Sequence, residues 1–368
     1  MDAMDERDAH SGSRLVVRVP VEPVEAAAEA DAVDALRREG VLMLRGPLFG
    51  VAAQSAEDGG RWRVVSPITS GCPQSARDSL NSLLWHRAYT GGAGPRPGPP
   101  VDRAVRRELL AAVARLETET VDELLVAGTR YRVVRAEEYA VAGPDGLEGP
   151  RPTDPQPPKP DWARGRGAVV DDGLVLDVDA PVSPATALEQ LALRNLHYTG
   201  ARFPDPVRAD SEVAVGTHPD VLSLPAVFTL VEQAAGGASA GWKAAGGAHA
   251  TAHDARKSLD FAFVWMLPRL HGLIPEDALD ADATTYRTTD GRPDPALAPY
   301  AEASAALRAG LLTRLEFLGT VHQIARARRL LRWGPDGPEG PRPSDVNSQP
   351  PTQLHLRLDE DGRVIPEA

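Results

Sequence analysis

The sequence predicts an α+β fold: two tandem, diverged copies of one α-β-β-α-α-β-β unit, with antiparallel sheets and helices on one face. Three observations predict it. Gly143–Asp154 (GPDGLEGPRPTD) returns as Gly334–Asp345 (GPDGPEGPRPSD), identical at ten of twelve positions, at an offset of 191. Two earlier anchors recur in the same order. Pro20-Val21-Glu22-Pro23 matches Pro181-Val182-Ser183-Pro184, and Gly60-Arg61-Trp62 with Ala76-Arg77-Asp78-Ser79-Leu80 and Trp85 matches Gly241-Trp242 with Ala255-Arg256-Lys257-Ser258-Leu259 and Trp265. The offset only grows along the chain, as duplication followed by loop insertion in the second copy requires. Finally, helical and hairpin patterns do not alternate strand by helix, as a doubly wound parallel sheet demands.

Each unit opens with a helix. Pro23–Gly40 carries Ala, Val33 and Leu36 inward. In the second copy Ser183 is a natural N-cap, Pro184 stands where its missing N–H costs nothing, Leu188, Leu191 and Leu196 follow, and Gly200 suits the stop. Extended segments follow at Val41–Leu44, Phe49–Ala53 and Arg61–Ser66, and at Ala226–Gln233 and Trp242–Ala245. Next come helices with one apolar stripe each: Ala76, Leu80, Leu83, Leu84 and Ala88; then Ala255, Leu259, Phe263 and Leu267. A further helix covers Val101–Glu117 or Leu297–Phe317. Strands at Arg130–Arg135 and Glu138–Val141, matched by Val321–Ala327 and Arg329–Trp333, complete the unit. Gly-Pro-Asp-Gly then fits a type I turn, and Gly149–Pro160 reads as extended linker. The organisation is therefore an acidic tail (1–14), a first unit (15–148), a Pro/Gly-rich linker (149–173), a second unit (174–345) and a C-terminal tail (346–368).

At 368 residues, 42% hydrophobic and 25% charged, the chain has material for two cores of mainly Ala, Val and Leu. Its net charge of −12 repels phosphate backbones and argues against nucleic acid as a partner. The lone Cys72 permits no intrachain disulfide and suits a reducing compartment. No signal-peptide pattern opens the chain, and no apolar run approaches the roughly 18 residues of a membrane span. The cytoplasm is the expected location.

The paired GPDGxEGPRP[ST]D segments, with the ARDSLNSLLW and ARKSLDFAFVW helices, resemble a family of uncharacterised actinobacterial proteins, some of which carry the label "PE-PGRS family" although the PE signature and glycine arrays are missing here. The resemblance covers most of the chain and implies no activity. Gly59–Val64 followed by Gly71-Cys72 and an Ala/Leu helix is also similar to the hairpin-then-helix pattern of HicB-type antitoxin domains, an analogy of topology alone.

Several polar residues invite a chemical reading. Arg151, Asp154, Arg342 and Asp345 repeat in the closing segments, as a contact surface or as braces of each unit's exit; turn-forming neighbours favour the brace. Arg326, Arg328, Arg329 and Arg332 run into Trp333, a set that could hold a phosphate or a base, although a solvated strand edge explains it more cheaply. His249 and His253, four apart, are weak metal candidates without an evident third ligand. Cys72 precedes a helix without a paired base. Ser239 lies in a GxSxG string that lacks the strand-to-helix setting of a nucleophile elbow. No phosphate-binding loop, HExxH or CxxC occurs, and no cofactor is called for.

The leading expectation is a non-enzymatic cytoplasmic interaction or regulatory protein, with a groove between two pseudo-symmetric units that takes a protein or small molecule. The alternative is an enzyme or small-ligand sensor with its site between the units.

Overall fold

The computed structural model describes residues 15–365 apart from 39, 57, 93–97, 158, 164, 166 and 236–240. In chain order the first half forms α1 (Pro23–Arg37), β1 (Val41–Gln54), β2 (Trp62–Ser70), α2 (Pro73–Thr90), α3 (Arg103–Leu116), β3 (Glu123–Val126), β4 (Thr129–Gly143) and β5 (Gly146–Leu147). After the short β6 (Val175–Leu176) come α4 (Pro184–Leu193), α5 (Asp205–Thr217), β7 (Asp220–Ala234), β8 (Lys243–His249) and α6 (Ala252–Phe261). A π-helical turn, Ala262–Met266, leads into α7 (Leu267–Leu270), followed by α8 (Ala298–Gly310), β9 (Arg314–Phe317), β10 (Thr320–Gly334) and β11 (Gly337–Pro338).

The strands of both halves join in one antiparallel sheet, in the order β6-β2-β1-β4-β10-β7-β8. The seam is short. β4 and β10 pair only through Tyr139–Arg328, Glu138–Arg329, Glu137–Leu330 and Ala136–Leu331. Positions 138 and 329 are 191 apart, so that pair is its own image at the offset of the closing segments. Tyr139–Arg328 and Glu137–Leu330 are images of each other. The seam thus lies on a local two-fold relation of backbone register.

Alternation sorts the strand residues onto two faces. Phe49, Val51, Tyr131 and Val133 pack on Leu80 and Leu84 of α2 and Leu109 and Leu116 of α3. Phe228, Leu230 and Ile324 do the same with Leu259 of α6, Phe263, and Tyr300 and Leu307 of α8. Burying each of these large side chains contributes roughly 1.5–3 kcal/mol. The intervening residues Leu48, Ala52, Val134, Ala136 and Leu331 meet Trp62, Val64 and Leu224 in a third cluster on the other face. The helices start where the sequence signals them. Pro73 opens α2 and Gly91, at φ 73°, stops it; the Thr251 side chain caps α6 at the Asp254 N–H.

Several expectations need correction. The segments read as strand pairs at 41–53, 130–141 and 321–333 are single long strands. The charged middles of the last two looked like breaks but lie at the buried seam, and the break expected at 45–48 is a register shift where β1 pairs with β4 between Leu44 and Gly46. The Arg326–Arg332 run is accordingly no solvated edge. β10 is paired on both sides, by β4 and β7, and Arg329 and Arg332 are fully buried. The helix expected over 297–317 ends at Gly310, where Leu311 turns left-handed (φ 47°), and β9 takes the remainder. Ala127-Gly128 and Leu318-Gly319, all at positive φ, close the β3–β4 and β9–β10 hairpins.

α1 buries none of its residues. Likewise Leu188 and Leu191 of α4 face outward, while Ala185, Ala187, Gln190 and Leu193 face in. α4 stops at Leu193, seven residues before Gly200. The helix directly before β7, as α1 is before β1, is α5 and not α4. The PVEP and PVSP strings therefore share a helix-start signal without sharing a place in the fold.

Candidate functional site

The closing segments are hairpins followed by a capped turn. In the first, Gly143 pairs with Gly146 around Pro144-Asp145; in the second, Gly334 pairs with Gly337 around Pro335-Asp336. Gly146 and Gly337 sit at φ 112° and 106°. A Cβ at Gly337 would meet Trp62 Nε1 at 2.7 Å, and one at Gly146 would meet Gln323 Oε1 at 3.0 Å and the Trp242 ring at 3.1 Å. Each turn thus rests on a tryptophan of the other half, and only glycine fits there. Beyond the turn the chain crosses the seam. Arg326 N–H donates to Glu148 O at 2.7 Å, and Arg135 N–H donates to Glu339 O at 2.9 Å.

The side chains of these segments build two related charge networks. In both, the aspartate accepts the backbone N–H three residues back: Arg151 to Asp154 and Arg342 to Asp345, each at 2.7 Å. In both, the arginine Nε holds the segment's glutamate: Arg151–Glu148 at 2.6 Å and Arg342–Glu339 at 2.7 Å. The aspartate then reaches across the seam, Asp154 to Arg326 (3.0 Å) and Asp345 to Arg135 (2.9 Å). A helix is tied to each by the N–H of the residue just before the aspartate, from Thr153 to Asp31 of α1 at 3.2 Å and from Ser344 to Asp210 of α5 at 2.7 Å.

Here the likeness ends. Around Arg342, Glu137 accepts from Arg135 (2.5 Å), Arg342 (3.2 Å) and the Tyr198 hydroxyl (2.5 Å). Burial opposes the Glu137 charge, yet Arg135 and Arg342 outweigh it and hold the carboxyl below its usual range. Burial beside that anion pushes the Tyr198 phenol up. α5, Tyr198 and Arg332, whose guanidinium donates to Arg194 O and Leu196 O, seal this network. Around Arg151, the position equivalent to Glu137 is Arg328. It binds Glu148 and Glu189 of α4, and Tyr139 donates to Glu189 at 2.7 Å.

The network around Arg151 opens into a cavity of about 590 Å³ between the halves. Arg151 and Asp154 come from the first half, Arg326, Arg328 and Glu189 from the second, and α1 forms one wall with Ala28, Ala32 and Leu36. Arg151 is held below the usual guanidinium range by burial first, then by the neighbouring Arg326.

Four of the residues singled out in the sequence, Arg151, Asp154, Arg326 and Arg328, therefore share one cavity. Arg342 and Asp345 lie in the sealed network. Arg329 is on the opposite face, bidentate to Asp171 and donating to Pro225 O at 2.9 Å; Trp333 is half-buried beside the third core cluster. His253 is buried with Nε2 2.9 Å from Asp161 O, while His249 Nε2 is buried without a partner; no metal-ligating group of three forms among the described residues. Cys72 is buried between Ser348 (3.1 Å) and Ser75 (3.3 Å). Burial opposes its thiolate, but hydrogen bonds from both serines bring the thiol down to about 7. Ser239 lies outside the described residues. The sequence reading missed Glu137, Glu148 and Glu189. The glutamate inside the repeated GPDGxEG string was the available signal for Glu148.

An α+β protein with one two-sided antiparallel sheet and a charged cavity at the seam of its halves is the class these features define. The chain belongs to the family described as Family of unknown function (DUF5954), whose model matches residues 22–348. No curated protein and no solved structure matches it. Among the described residues no helix is long and apolar enough to cross a membrane.

Proposed function

We propose that this is a non-enzymatic regulatory or interaction protein of the cytoplasm that takes a small ligand in the cavity between its halves. One observation carries the reading: the same charge network occurs twice, filled with protein side chains around Arg342 and facing about 590 Å³ of cavity around Arg151. That volume falls within the roughly 300–1,000 Å³ of small-molecule sites. The acidic net charge and the inward pairing of the Arg326–Arg332 run favour a metabolite over nucleic acid. A single buried thiol fits a reducing compartment.

The test is mass spectrometry of small molecules released by denaturing protein purified from its native source in mild salt. Ala32→Trp, on a helix with no buried residues, fills the cavity without touching the core. A molecule near stoichiometric in the wild type and depleted in A32W is expected. Equal retention by both, or none by either, contradicts the reading.

A further inference from the structure

Resting on that cavity reading, we infer that the ligand is a small metabolite with one carboxylate or phosphate, seated between Arg151 and Arg326, on an apolar body lying along α1. The sealed network shows what the open one lacks. There, Arg342 spends Nε, Nη1 and Nη2 on carboxylates, and Glu137 bridges Arg342 to Arg135. In the open network Arg326 and Arg151 are the equivalents of Arg135 and Arg342, and the bridging carboxylate is replaced by the cation Arg328. Arg151 reaches Glu148 and Arg326 reaches Asp154 through Nε alone. No described residue accepts from the Nη groups of either, and both side chains line the cavity. Two cations that repel each other, each with free donors on a shared cavity, form a site for a bidentate anion.

The remaining lining narrows the class. Glu189 is taken by Arg328, Glu25 pairs with Arg18, and Glu29 accepts the Ala185 N–H at 2.7 Å. These fixed anions admit one compact anionic group and disfavour a polyphosphate. Ala28, Ala32, Leu36, Val182 and Pro225 supply the apolar wall for the body.

Isothermal titration of the full chain with benzoate, phenyl phosphate, inorganic phosphate and neutral benzamide tests this. Benzoate or phenyl phosphate is expected to bind at least about tenfold more tightly than benzamide, the span of one charge-assisted hydrogen bond; which of the two wins separates carboxylate from phosphate. R151K and R326K keep the charge and lose the planar fork, and each should weaken binding about tenfold. A32W should abolish binding of the aromatic anion and spare inorganic phosphate. Benzamide binding as well as benzoate, or R151K and R326K without effect, overturns the inference, and the wild-type comparison stands even where a variant fails to fold. If no anion binds but native protein releases an uncharged or cationic molecule that A32W lacks, the anion falls and the cavity reading survives. If A32W loses nothing, the cavity reading itself falls.

Discussion

The networks around Arg342 and around Arg151 share a turn, an aspartate cap, an Arg–Glu pair and a helix tied on by the backbone N–H just before the aspartate. They differ in one position of the central strands, Glu137 against Arg328, and in the helix above. α5 buries Ser211 and Ala214 and brings Tyr198 against Glu137, whereas α1 buries nothing and leaves a cavity. The repeated segment is thus explained by structure: a glycine that must clear a tryptophan, a proline turn, and an Arg–Asp–Glu set that crosses the seam. What distinguishes the halves lies outside it. A scaffold used twice has been closed once by its own carboxylate and left open once with a third cation.

The largest effect should come from breaking the sealed network. Glu137→Ala leaves Arg135 and Arg342 buried without their shared anion, at a cost of about 3–5 kcal/mol. Arg328→Ala, in the part-exposed network where Glu148 keeps Arg151, should cost about 1–2 kcal/mol in the same urea titration. Equal costs would erase the distinction between the two. Next, Gly337→Ala should lower stability by about 1–3 kcal/mol through backbone strain and its clash with Trp62. Gly146→Ala should cost less, because its nearest obstacle is the end of the Gln323 side chain. Parity between them would mean that the closer approach of Trp62 to Gly337 does not set the cost.

A smaller effect belongs to the seam itself. Burial raises the Glu138 carboxyl against the pull of Arg45 and Arg329, so the folded state carries a carboxylate that ionises less readily than in the unfolded chain. Stability contributed by this group therefore rises as pH falls through the raised value towards the unfolded one. Glu138→Gln should stabilise at pH 7, with a smaller gain at pH 5, read from melting temperatures at both. A gain that grew on acidification would reverse the sign and refute the buried-charge account.

Much of this architecture was legible. Ala76, Leu80, Leu84 and Ala88 lie buried on α2 as their spacing predicts, and the Gly-Pro-Asp-Gly turns form where the string occurs. The seam was not legible, because Arg326–Arg332 reads as a solvated strand edge and the expected strand breaks at 136–137 and 328 fall on it, and nothing local reveals that the counter-charges of Arg135, Arg326 and Arg329 arrive from Asp345, Asp154 and Asp171. α5 escaped notice because polar Asp205, Ser211 and Thr217 dilute its apolar face. Arg151, Asp154 and Arg326 could be nominated from repetition and charge. Their meeting in one cavity depends on a crossing of the halves that sequence spacing cannot express.

The most direct measurement is the unfolding midpoint of wild type and R328E/E189Q, each with and without sodium benzoate. The double change installs the carboxylate of the sealed network between Arg151 and Arg326 and relieves Glu189 of its lost partner. The account predicts a midpoint at or above wild type without benzoate, and a benzoate-induced rise in wild type alone. A variant that unfolds earlier than wild type, or that benzoate still stabilises, would contradict it.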